Sequence, residues 1–202
     1  DGLGNDTGLN QVELTVSEDL YHWNRVCNRE IFIGIEPWDG INYGTAQIAL
    51  CGRPIIRGNE IWIYYNALRI RDNEELYWEQ DRYGFIDTRL FSNYSALHLA
   101  KLRLDGFVSL DATGEGEMIT ESFEWEGQPI HVNVDARGEL RAALLNANTM
   151  EAVNGYTASE QAPITGDHTS IPLVWRGGSQ GTQTVRIKFT LRDCKLYSFW
   201  ME

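Results

Sequence analysis

Apolar residues in this chain come in short runs of strand length, broken by Gly, Asn and Asp, and seldom at helical spacing. That pattern constrains the fold class most, because a period of two belongs to a half-buried strand and a period near 3.6 to a helix. Gln11-Val12-Glu13-Leu14-Thr15-Val16-Ser17 alternates with period two. Ile61-Trp62-Ile63-Tyr64-Tyr65 is a continuous apolar run after the turn-like Arg57-Gly58-Asn59-Glu60, and reads as a strand buried on both faces. Ser95 to Leu102 is a further strand candidate, although its Ala and Leu content also permits a helix. Ile130, Val132 and Val134 alternate with polar neighbours. Asp135-Ala136-Arg137-Gly138 is a turn signal, so Glu139 to Asn146 is the expected return strand of a hairpin. Ile171 to Trp175 and Thr184 to Leu191 are expected as two strands joined by Arg176-Gly177-Gly178-Ser179, and Leu196 to Trp200 as the last. Arg69 to Tyr94 reads as a helix or a long solvated insertion. Strands at this spacing predict an all-β chain containing an antiparallel sandwich.

The chain has 202 residues, 43% of them hydrophobic, which is enough for a real core and excludes global disorder. Its 17 Lys and Arg against 29 Asp and Glu give a net charge of −12. A phosphate backbone or an anionic bilayer needs a basic face, so neither nucleic acid nor membrane is an expected partner. No apolar run is long enough for a transmembrane helix. The sequence opens on Asp1-Gly2-Leu3-Gly4 without a basic and then apolar leader, which reads as a processed chain or a piece of a longer one. Cys27, Cys51 and Cys194 lie far apart without a C-x-x-C pair. They read as small buried hydrophobes, with a Cys27–Cys51 bridge open to an exported protein. His22, His98, His131 and His168 are scattered. No metal site, nucleophile elbow or phosphate-cradling loop is evident, and no cofactor is expected.

Composition shifts near residues 103–112, from a Trp- and Tyr-rich first part to a Val-, Ile- and Thr-richer second. The boundary expected at Arg103-Leu104-Asp105-Gly106 divides the chain into 1–103 and 104–202. Ser17-Glu18-Asp19-Leu20-Tyr21-His22-Trp23 suits a strand followed by a tight turn, with Asp19 capping amides and Trp23 packing back. This motif, followed by Arg29-Glu30-Ile31-Phe32-Ile33, Trp38-Asp39-Gly40 and Gly58-Asn59-Glu60-Ile61-Trp62-Ile63-Tyr64-Tyr65, resembles the five-bladed β-propellers of the invertase and arabinanase-like glycoside hydrolases. Leu102 to Ala112 resembles the entry to the β-sandwich that trails such propellers, and Leu191 to Phe199 its end.

The resemblance implies partial β-propeller blades in 1–103 and an antiparallel β-sandwich in 104–202 that braces them. A blade takes about 40–50 residues, so 1–103 supplies about two, and a second chain carrying the missing propeller blades is an implied partner. Carbohydrate is the implied ligand: a neutral oligo- or polysaccharide, cleaved by a parent protein of which this piece alone would be inactive. Secretion or export to a periplasm would suit that substrate. Glycoside hydrolysis needs two carboxylates, and the resemblance puts the nucleophile or base on a blade outside this sequence. The acid candidates are Glu36 and Asp39. Pro37 and Trp38 beside Glu36 supply the apolar wall that suits acid duty. Ile35-Glu36-Pro37 departs from the Glu-Cys-Pro acid motif of the invertase-like enzymes, however, and Asp39 equally suits a turn cap. Trp38 and Trp125 are the candidate sugar-stacking residues, Trp125 equally suiting a cover for the sandwich end. A non-catalytic carbohydrate-binding module, or a purely structural sandwich, is the alternative.

Overall fold

The structure, a computed structural model, describes residues 9–37, 39, 41–69, 95–177 and 183–202. The described residues are all-β, in several antiparallel sheets, none of them closed, and contain no α-helix. The chain divides into two units, Asp1–Leu102 and Arg103–Glu202.

The first unit holds β1 (Val12–Glu13), β2 (Thr15–Val16), β3 (Asn24–Arg25), β4 (Ile31–Ile33), β5 (Gln47–Leu50), β6 (Ile55–Arg57), β7 (Glu60–Leu68) and β8 (Ser95–Arg103), whose last residue opens the second unit. The alternating run at Gln11–Ser17 is not one strand. It is split into two dipeptides that face different partners, β1 with β4 and β2 with β3. The turn signal at Arg57–Glu60 closes a hairpin in which Arg57 pairs with Glu60 and Gly58 takes φ 61, a left-handed value that favours glycine. β5 and β6 lie in tandem along β7, and β8 also pairs with β7. Ile61, Ile63 and Ala67 are buried, whereas Trp62 and Tyr64 on the opposite face are half-buried. On that face the Trp62 ring takes Arg57 at 4.5 Å and Lys101 at 4.7 Å, and its indole N–H donates to Glu60. The expectation for Arg69–Tyr94 falls, beyond Arg69 itself, outside the described residues.

The second unit is one five-stranded sheet built on two long strands, β11 (Ile130–Asn146) and β13 (Gln183–Met201). β9 (Leu110–Ile119) and β10 (Phe123–Trp125) pair with β13, and β12 (Ile164–Pro172) pairs with β11. The hairpin expected at Asp135–Gly138 does not form. The chain runs straight on through these residues as a β-bulge, because Ala136 pairs with Cys194 and Glu139 with Arg192, leaving one extra residue on β11. Gly138 is required there by close approach: a Cβ would fall 2.2 Å from the Arg192 carbonyl oxygen. On β13 the same level holds Asp193 at φ 41, whose carboxylate accepts the Gly114 N–H at 2.9 Å. A second bulge, between Asn133 and Val134, puts its extra residue on β13 and restores the register. Thr184–Leu191 and Leu196–Trp200, expected as separate strands, are therefore one. Of the segment expected to precede them as a strand, Ile171–Trp175, only Ile171 and Pro172 are in a strand, where they close β12 and pair with β11, while Trp175 bridges Gln161.

The bulges decide which residues point inward. On β11 the inward set is even-numbered throughout, from Ile130 to Leu144. On β13 it runs Val185, Ile187, Phe189 and Leu191, then shifts to Cys194 and Leu196, then back to Phe199. These residues form one core with Trp125, Tyr156, Ile164 and Leu173. Asn133, fully buried, is satisfied by the Leu104 carbonyl at 2.6 Å and by Arg103 at 3.0 Å. The Arg103 guanidinium also bonds Asp167 and the His168 carbonyl and lies over the Tyr197 ring at 4.3 Å.

Gly138→Ala is expected to destabilise the chain by about 1–3 kcal/mol through forced separation of β11 from β13. A urea unfolding midpoint unchanged from wild type would contradict that account.

Candidate functional site

The loop from Glu36 to Gly44 is closed by its own ends. The Glu36 N–H donates to the Gly44 carbonyl at 2.8 Å, and the Gly44 N–H returns to the Glu36 carboxylate at 3.1 Å. Arg69, at the end of β7, pins the loop by donating to the carbonyls of Ile41 and Asn42 and lies over the Tyr43 ring at 4.1 Å. Asp39 sits at the tip. One carboxylate oxygen accepts the N–H groups of Ile41 and Asn42 at 2.8 Å each, and the other accepts the Asn42 side-chain amide at 2.9 Å. These amide bonds, with the Arg69 charge, hold the Asp39 carboxyl below the usual aspartate range. Of the two uses read for it, the geometry gives Asp39 the turn cap.

Glu36 is different. It is half-buried, and its charge acts on Tyr65 of β7. Burial first, and then that charge, push the Tyr65 phenol above its ordinary value. The Tyr65 hydroxyl lies 3.3 Å from His98 Nδ1 on β8, with the rings edge-to-face at 5.3 Å. Tyr43 packs on the same imidazole edge-on at 6.4 Å. The site therefore gathers a carboxylate, a phenol and an imidazole from a loop and two strands. Sequence reading passed over Tyr65, His98, Tyr43 and Arg69. The available signal was the strand reading of Ser95–Leu102, which makes His98 a residue on one face of a strand rather than an isolated histidine.

The remaining sequence candidates fall elsewhere. Trp38 lies outside the described residues. Trp125 is 3% exposed, donates to the Gln128 carbonyl at 2.9 Å and packs edge-to-face on Tyr156. It is a core residue with no free face for a sugar, because β10 turns Phe123 and Trp125 inward and only Glu124 outward. The Ser17–Trp23 turn forms as a cap. Asp19 accepts the N–H groups of Tyr21 and His22 and bonds the His22 ring, which holds its carboxyl far below the usual range. Trp23, however, is 57% exposed rather than packed back, its indole donating to the Leu20 carbonyl.

Two concavities of about 300 Å³ lie away from Glu36. One borders the Asp19 turn, lined by Ser17, Glu18, His22 and Asn24 among others. The other sits at the bulge level of the second unit, among Asp111, Asp135, Arg137, Asp193 and Lys195. Within it Lys195 meets Asp111 at 3.1 Å and Asp193 caps Gly114. Cys194 lies beneath it. Burial, then the charges of Asp135 and Asp111, push that thiol up to about 11. Cys27 and Cys51 are exposed and free, so the bridge left open for them is not formed. Among the described residues no group of three His, Cys, Asp or Glu side chains is placed to hold a metal ion.

Two expectations follow. Asp39 has a depressed carboxyl, so its contribution to closing the loop is complete above the ordinary aspartate range, near pH 4, and fades as pH falls toward its lowered value. Hydrogen exchange at the Ile41 and Asn42 amides, corrected for intrinsic rates, should accelerate on acidification in wild type. In Asp39→Ala it should already be fast at pH 7; equal protection in both proteins would refute the cap. With a disulfide-exchange reagent at pH 8, Cys27 and Cys51 should react promptly and Cys194 only on unfolding, since the thiolate is the reactive form. Rapid native modification of Cys194 would contradict its burial.

No known family model matches the chain, and neither a curated protein nor a solved structure matches it.

Proposed function

We propose that the chain is the C-terminal part of a glycoside-hydrolase-like protein that acts on or binds neutral oligo- or polysaccharides. In this reading the first unit supplies propeller blades and the second a bracing sandwich. A second polypeptide, or a further part of the same protein, supplies the remaining blades. The observation that carries the reading is the Glu36 site. A half-buried carboxylate whose charge reaches a phenol, itself in contact with an imidazole, offers hydrogen-bond acceptors and donors among aromatic rings that suit the C–H faces of a sugar. The open sheets of the first unit support the need for further strands. Ile55, Ile56 and Leu97 are left 53%, 70% and 67% exposed there.

Glu36 takes the acid role in this proposal, and its partner carboxylate comes from outside the chain. Asp39 is committed to the loop amides and does not serve as the second carboxylate. The piece itself then binds saccharide without cleaving it, so a carbohydrate-binding module is the reading that the commitment of Asp39 favours next.

Titration of the chain with arabino- and fructo-oligosaccharides, followed by amide NMR, should move signals from Glu36, Tyr65 and His98. Glu36→Gln should weaken that binding about tenfold or more, the loss of one charge-assisted hydrogen bond of about 1.5–3 kcal/mol. Absence of any shift at these residues with a broad panel of neutral glycans would remove the basis for the proposal. Shifts confined to the second unit would transfer binding to the sandwich.

A further inference from the structure

We propose that His98 sets the hydrogen-bonding polarity of the Tyr65 hydroxyl, and that this hydroxyl is the group beside Glu36 that selects how a saccharide hydroxyl is presented. This rests on the saccharide reading of the site and adds to it a recognition residue, Tyr65, and a positioning residue, His98. The geometry is a phenol oxygen 3.3 Å from an imidazole Nδ1, with the imidazole held by two aromatic rings, those of Tyr65 and Tyr43. An imidazole nitrogen donates or accepts according to whether it carries a proton, and a phenol oxygen does both.

Two arrangements follow from one proton. With neutral His98 protonated at Nε2, Nδ1 accepts the Tyr65 proton. The phenol oxygen then offers only lone pairs to the site and pairs with a sugar hydroxyl that donates. When His98 takes up a second proton, Nδ1–H donates into the phenol oxygen. The Tyr65 proton must then turn to another acceptor, either the Glu36 carboxylate or a sugar oxygen, so the same hydroxyl now recognises an acceptor. Among the described residues, the charged groups related to the pair are Glu36, whose charge acts on Tyr65, and Arg69, which lies over Tyr43. Neither contributes the Nδ1 contact, so the polarity of the hydroxyl is governed by His98.

The test uses the full chain labelled with 15N-histidine and 13Cζ-tyrosine. At pH 8 His98 should show the nitrogen shifts of the Nε2–H tautomer, and Tyr65→Phe should shift it toward a mixture of tautomers. His98→Ala should lower the Tyr65 titration midpoint, because a phenol that donates to Nδ1 is held in its neutral form. His98→Gln, whose side-chain carbonyl can also accept, should restore part of that shift. A His98 tautomer with the proton on Nδ1 at pH 8, or one unmoved by Tyr65→Phe, would overturn the pairing. Binding of the arabino- or fructo-oligosaccharide should fall at least threefold in Tyr65→Phe and in His98→Ala and be partly restored in His98→Gln. Binding unchanged in His98→Ala would overturn the role of His98 in recognition. Intact His98–Tyr65 coupling without saccharide binding at any pH would sink the saccharide reading and the recognition role together, leaving only the hydrogen-bonded pair.

Discussion

The ladder between β11 and β13 is the interaction on which the second unit depends. It runs from Ile130↔Met201 to Asn146↔Val185, and every other strand of the unit attaches to one of its two members. Antiparallel strands of this length accumulate twist, and a bulge bends the strand and adds to that twist locally. Here two bulges of opposite sense, one on each strand, leave the ends in the same register. They also let Leu191 and Cys194 face one core although an uninterrupted strand would have sent one of them to solvent. Gly138 and Asp193 hold the level where this happens, one by lacking a side chain and the other by a left-handed backbone with its carboxylate tied to Gly114.

The first unit is organised on a different principle. Among its described residues few hydrophobics are buried, Ile48, Ile61, Ile63 and Ala67 among them, and many of its short segments are closed by polar bonds. Asp19 caps one turn, Asp39 another, and Arg69 clamps the loop of Glu36 through backbone carbonyls. A unit held in this way keeps its site geometry by hydrogen bonds and cation–ring contacts more than by a core. That arrangement places Glu36, Tyr65 and His98 together while leaving apolar side chains such as Leu97 uncovered.

Strand-length apolar runs and turn residues carried part of the fold. Ser95–Leu102 is β8, Ile61–Tyr65 lies within β7, and the Gly58 turn closes its hairpin. What the pattern could not carry was the meaning of Asp135-Ala136-Arg137-Gly138, since the residues that make a turn also make a bulge, and only the partner strand distinguishes them. Trp125 between two glutamates looks exposed in one dimension, but β10 turns Phe123 and Trp125 to the same inward side. For the site, the sequence offered both Glu36 and Asp39 as acids and left Asp39 open to a turn cap. Their separation comes from which amides reach them. The Tyr65–His98 contact spans 33 positions and depends on β7 pairing with β8, which no local pattern encodes.

Arg103 has a mechanical meaning beyond its place at the head of the second unit. Its side chain is fastened to Asn133 of β11, to Asp167 and the His168 carbonyl of β12, and to the Tyr197 ring of β13. A pulling force transmitted along β8 would thus enter the sheet at a node shared by three strands. It would load them together in place of peeling one strand from an edge.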